Sequence, residues 1–187
     1  MQATEKITTL PRKGKNTVNI QLFNFLEDYN SQIVSLLLAK IPRQINAYTR
    51  MPRTELKQML EHLLDGYIDL LVTGQTDALD KVFRYMSRVH HAKKIAVSGV
   101  LMAILMFPQV IRRLLAEEYA DIQGEDAVRK FNQALEQTET TAHRAACSFV
   151  DIFQEHVDKR INEHNDYLEE VGNKFGIDLS RFIVFRA

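Results

Sequence analysis

The chain has 187 residues with 24 Lys+Arg balanced by 24 Asp+Glu, so no net field steers it toward nucleic acid or an anionic membrane. Hydrophobic residues make up 45%, which excludes wholesale disorder, and seven Gly with four Pro suit helices better than sandwiches or barrels. The single cysteine, Cys147, excludes an internal disulfide framework and a cysteine-based zinc site, and it fits a reducing cytoplasm.

In chain order, residues 1–20 read as a flexible tail: polar, broken by Pro11 and Gly14, and carrying the basic cluster Arg12, Lys13 and Lys15. The tail holds no apolar stretch of the kind a secretory signal needs. A helix is expected from Asp28, with Ile33, Leu36 and Leu37 on its apolar side, until Pro42 stops it. A short turn containing Ile45 and Tyr48 follows.

Pro52 opens the clearest helix, because a first-turn N–H has no helical partner to lose. Leu56, Met59, Leu60, Leu63, Leu64, Tyr67, Ile68 and Leu71 recur at steps of three and four, one broad apolar face, and Gly74 ends it. Thr76 and Asp77 supply the start of the next helix, to about Ala92, with Leu79, Val82, Phe83, Met86 and Val89 as its stripe.

Ile95 to Ile111 is uncharged and mostly apolar, but its 17 residues are short for a bilayer span of about 20. It is flanked by Lys93-Lys94 and Arg112-Arg113, which gives no orientation bias. The expectation is a central buried helix, capped by Ser98, bent at Pro108 and ending near Tyr119. No strand pattern of useful length is present, since Phe182 to Phe185 is β-prone but isolated. The fold class is all-α: a helical bundle over 21–150, with 151–187 as the extension of its last helix and a C-terminal tail.

That last helix is the most informative feature. Its pattern runs from Glu125 to about Asn173 without a break, roughly 70 Å at 1.5 Å per residue. No domain of this size buries such a length. Phe131, Leu135, Thr138, Ala142, Ala145, Phe149 and Ile152 step by four and three, as in a packed helix pair. Phe149, Phe153, Val157 and Ile161 then step only by four, which drifts the stripe. Ile161, His164, Leu168, Val171 and Phe175 return to three and four between charged flanks. The first half therefore packs on the body, and Val157, Ile161, His164, Leu168 and Val171 are expected to pair two copies of the chain, the alternative being that this end folds back as an ordinary helix.

Candidate chemistry is sparse. His90 and His91 are adjacent and diverge by about 100° on a helix. His156 and His164 are two turns apart, and neither Glu155-His156 nor Glu163-His164 has the spacing of a zinc-protease helix, so no metal site is expected. His143 and Cys147 are one turn apart, but beside Ala145-Ala146 the cysteine reads as buried and structural. With no phosphate-binding glycine loop and no nucleophile elbow, an enzyme is not expected.

Ile41-Pro42, Tyr48, Met51-Pro52-Arg53-Thr54-Glu55-Leu56 and the following Leu60, Leu63 and Leu64 resemble the N-terminal domain of RsbR-type proteins. These are the stressosome sensory subunits and RsbT co-antagonists of bacteria. Lys93-Lys94, Val97-Ser98-Gly99 and Val100 to Leu115 look like that family's basic helix, small-residue break and apolar helix. The resemblance spans about residues 30–165. It implies a globin-like, haem-free, dimeric sensory bundle in the cytoplasm, whose last helix leads to a protein signalling partner. Members often continue into a STAS output domain, whereas this sequence ends at Ala187. A stand-alone regulator and an excised sensor piece both stay open.

On this reading a ligand would bias packing around Tyr67, Met86, Met102, Met106 and Phe107 and shift the last helix, with no cofactor, no nucleic acid and no membrane involved. The alternative is a haem sensor. His91-Ala92-Lys93-Lys94-Ile95 is similar to the proximal-histidine segment of globin-coupled haem sensors, although the spacing is one residue off and no glycine follows Ile95. That resemblance implies His91 as axial ligand, with His90 as second choice. A scaffold bundle without a ligand is the third reading.

Overall fold

The computed structural model describes residues 13–92, 95–120, 124–179 and 182, with the backbone course alone for 13–19 and 90–92. Its α-helices are α1 (Lys13–Asp28), α2 (Asn30–Gln44), α3 (Arg53–Thr73), α4 (Asp77–Ala92), α5 (Val97–Glu118) and α6 (Glu125–Phe175). A 3-10 turn over Asn46–Arg50 links α2 to α3. No strand occurs among the described residues. The fold is all-α with a long C-terminal helix.

The first helix starts at Lys13, well before the expected onset at Asp28. Leu22, Phe25 and Leu26 lie one turn apart on a face that the body buries, and that packing overrides the polar residues around them. At Tyr29 the helix bends without coming apart: Tyr29 N–H donates to the Phe25 carbonyl at 3.0 Å and Ile33 N–H to the Tyr29 carbonyl at 2.8 Å. Pro42 does not stop α2 but sits inside its last turn. It forfeits one backbone bond, and Ile45 N–H still reaches the Ile41 carbonyl at 2.8 Å.

Helix α3 follows Pro52 and ends at Gly74, whose φ of 73° puts the backbone in the left-handed region. Gly74→Ala is expected to lower stability by about 1 kcal/mol, because a Cβ is strained there. Thermal unfolding followed by circular dichroism should show a Tm drop of roughly 2–4 °C. Gly66, mid-helix, has a different role. A Cβ there would stand 2.9 Å from Leu79 Cδ2, so its absence lets α4 press against α3.

Helix α5 begins after Ala96, whose extended backbone sets the first turn, and Ser98 is an exposed residue inside the helix rather than its cap. It runs through Pro108 to Glu118. By length and composition it could cross a membrane, with a mean hydropathy of 1.6 over its most apolar stretch, yet 61% of that stretch is buried in this fold. Val100, Ala103, Ile104, Phe107, Ile111 and Leu114 place it at the centre, against α2 and α6. Phe182 is in a turn, its N–H donating to the Leu179 carbonyl at 2.9 Å, and 183–185 lie outside the described residues.

Gly124, at φ 119°, turns the chain into α6, which lies beside α1, α3, α4 and α5 before leaving them. At 51 residues it spans roughly 77 Å.

Candidate functional site

Of the five residues expected around a ligand, four are packed core. Tyr67, Met86, Met106 and Phe107 are buried, and the Tyr67 and Phe107 rings stack at 5.8 Å. Met102 is 47% exposed and faces away, so the five do not line one pocket. Four residues advance a helix by about 40° past a full turn, which carries Met102 off the edge of the stripe that Met106 closes.

The Tyr67 hydroxyl donates to the Thr138 carbonyl of α6, tying α3 to the long helix. Burial raises its phenol well above the usual range, so the group stays a donor. Tyr67→Phe is expected to destabilise the fold by about 1–2 kcal/mol through loss of that buried bond. Chemical denaturation should show the shift, with no change in oligomeric mass.

Helix α6 changes character along its length. Ala127, Ala134, Thr138, Thr141, Ala142, Ala145, Phe149 and Ile152 are buried. The two threonines satisfy their hydroxyls within the helix, Thr138 on the Ala134 carbonyl and Thr141 on the Gln137 carbonyl, both at 2.8 Å. Phe149 meets Phe83 of α4 edge to face at 5.4 Å. Beyond Ile152 no residue of α6 is buried.

Val157, Ile161, Leu168 and Val171 are half-buried and His164 is exposed, all five on the stripe read from the sequence, and Ile177 and Leu179 beyond the helix turn back beside Leu168 and Gly172. Tyr167 and Phe175 beside them are 62% and 63% exposed. The flank is charged and knitted along the helix, with Lys159–Glu163 at 3.9 Å and Arg160–Glu163 at 3.5 Å.

Between α4 and α6 lies a shallow polar pocket. Asp80 accepts from Ser148 at 2.6 Å and from Thr76 at 3.3 Å, and Arg144 donates to the Gly74 carbonyl at 2.6 Å. Farther out, Arg84 pairs with Glu155 at 2.8 Å. All but the Thr76 bond, which is local to the start of α4, tie α6 to the elements beside it. Cys147 is exposed here, against the expectation of a buried thiol. It falls on the side of α6 opposite the stripe of Ala145 and Phe149, and His143 is exposed with it.

A second opening, about 470 Å³, lies where α1, the end of α5 and the start of α6 converge. Its floor is apolar: Leu22, Phe25, Leu115, Ala127 and Ala134. The gap exists because α6 presents alanine at 127 and 134, one side chain too small to fill the space against α1. Tyr29 and Tyr119 form half-buried walls, and Asp28, Glu118, Asp126 and Lys130 stand at the mouth. The Tyr29 hydroxyl donates to Glu118 at 2.7 Å, linking the α1–α2 junction to α5 across the edge, and that bond raises the phenol above its ordinary value. The sequence carries one signal for this cleft, the alanines at stripe positions, but only the tertiary arrangement shows which helix they face.

The side chains of His90 and His91, the expected haem ligands of the alternative reading, lie outside the described residues. Among the described residues no group of three or more His, Cys, Asp or Glu is placed to hold a metal ion. The chain matches no protein-family model, no curated protein and no solved structure in comparison.

Proposed function

We propose that this protein is a non-enzymatic sensory or regulatory module, cytoplasmic and bacterial, that relays a signal through a dimer of its last helix. The observation that carries the reading is the division of α6 at Ile152: core on one side, a solvent-facing apolar stripe on the other. A rigid helix rooted among four others converts a small change in packing at its root into a displacement at its tip. Within the α4–α6 pocket Asp80 and Ser148, Arg144 and the Gly74 carbonyl, and Arg84 and Glu155 are engaged with one another, which favours a structural over a catalytic role for them. A haem-free, globin-like sensory bundle of the RsbR type, feeding a protein partner, is the family reading that fits this architecture. The burial of α5 in this fold favours a function away from the membrane.

The stripe also distinguishes between the two ways of pairing. Val157, Ile161, His164, Leu168, Val171 and Phe175 alternate steps of four and three, the repeat of a left-handed two-stranded coil. In a parallel, in-register pair each of these meets its own copy, and Arg160 lies near Asn165 of the second copy. In the antiparallel register that matches Ile161 with Val171, Arg160 faces Lys174 of the second copy twice, a repulsive arrangement. The parallel form is favoured.

His164→Cys in a Cys147→Ser background tests this. Mild oxidation should link two chains at position 164 in high yield, seen on a non-reducing gel. Recovery of uncross-linked chain alone would overturn the parallel dimer.

A further inference from the structure

We propose that the cleft between α1, α5 and α6 binds a small amphiphile with an apolar body and a single ammonium head. Its volume, about 470 Å³, falls in the range that small-molecule sites occupy. The floor is made of Leu22, Leu115, Ala127 and Ala134, which shelters an apolar body from water, and Gln21 and Asn24 add neutral polar groups to the lining.

The mouth selects charge. Asp28 on α1 and Glu118 on α5 stand at its edge, with Asp126 on α6 partly neutralised by Arg129 at 2.8 Å. Lys130 is the one cation among the described lining residues. Three carboxylates against one ammonium give a negative rim, and a concave surface of one sign concentrates the opposite ion.

The aromatic groups point the same way. Phe25 of α1 and Tyr29 at its junction with α2 pack at 4.6 Å between ring centroids, and Tyr119 stands across from them at the end of α5. Aromatic faces attract cations and repel carboxylates. Glu118 is already oriented by the Tyr29 hydroxyl, so an incoming ammonium meets a carboxylate held in place. An anionic ligand of the same size would meet that carboxylate and gain only Lys130.

The position of the cleft matters because two of its floor residues, Ala127 and Ala134, belong to the first turns of α6. A molecule wedged between α1 and α6 bears on the root of the helix whose tip is the dimer stripe. That this molecule is the input of the relay rests on the reading of the dimeric helix; that it binds does not.

The test uses the full chain and two probes of equal length and opposite charge, 4-phenylbutylamine and 4-phenylbutyrate. Methyl NMR titration should show saturable shifts at Leu22, Leu115, Ala127 and Ala134 with the amine, and binding of the butyrate at least about tenfold weaker. Glu118→Gln should weaken the amine by about tenfold and Lys130→Gln should not weaken it. Both substitutions are at exposed positions, and unchanged circular dichroism confirms the fold.

Equal affinity for the two probes, shifts confined to other residues, or no saturation at millimolar amine would overturn the proposal. Oligomeric mass is measured on the same samples. Lost binding with an intact dimer sinks the ligand site alone, and intact binding on a monomer sinks the relay alone.

Discussion

Phe149→Ala is expected to destabilise the body by about 3–5 kcal/mol, the range for removing a buried aromatic and leaving a cavity. Phe149 is 1% exposed and meets Phe83 of α4 edge to face, with Phe153 one turn further along α6. It is the last fully buried aromatic side chain of α6 before the helix leaves the body, so its loss removes packing from two helices at once. Thermal unfolding should fall by roughly 10 °C. A shift of a degree or two would mean that α6 is not rooted where the structure places it.

Leu168→Glu should do the opposite: leave the body intact and separate the two copies. Leu168 lies within the outer stripe, half-buried, with Ile161 and Phe175 roughly two turns away on either side. In a parallel pair the substitution sets two carboxylates against each other in one layer. Association should weaken by at least about 3 kcal/mol, more than a hundredfold. Helix content should hardly change, because the outer half of α6 grows from a folded inner half and carries no nucleation cost of its own. Light scattering then reports a monomer while circular dichroism stays near that of the parent chain. A dimer that survives the substitution places the interface elsewhere.

The contrast between these two sites follows from what the sequence does and does not encode locally. A 3.6-residue period needs no knowledge of neighbours, so α3, with its unbroken run from Leu56 to Leu71, and the long α6 are legible in the order of residues alone. The drift of the stripe between Phe149 and Ile161 likewise marks where α6 stops facing the body.

What the sequence hides depends on contacts between helices. Helix α1 is polar enough to pass for a tail, and only the fit of Leu22, Phe25 and Leu26 against the body makes it a helix with a buried face. Cys147 has alanines beside it in sequence, which suggests burial, yet it turns outward because the stripe runs through Ala145 and Phe149. Met102 and Met106 share a residue type, and a rotation of a few tens of degrees separates them. Apart from the alanines on the buried stripe of α6, the cleft is hidden for the same reason. Its walls come from residues 21–29, 115–119 and 126–134, and no pattern in any one of these segments announces the other two.

The central claim is that the outer half of α6 joins two copies of this chain, and sedimentation equilibrium on the purified protein tests it most directly. A dimer requires a mass of about twice the 21.6 kDa of one chain, constant over the micromolar range. A mass of 21.6 kDa throughout that range would contradict the account.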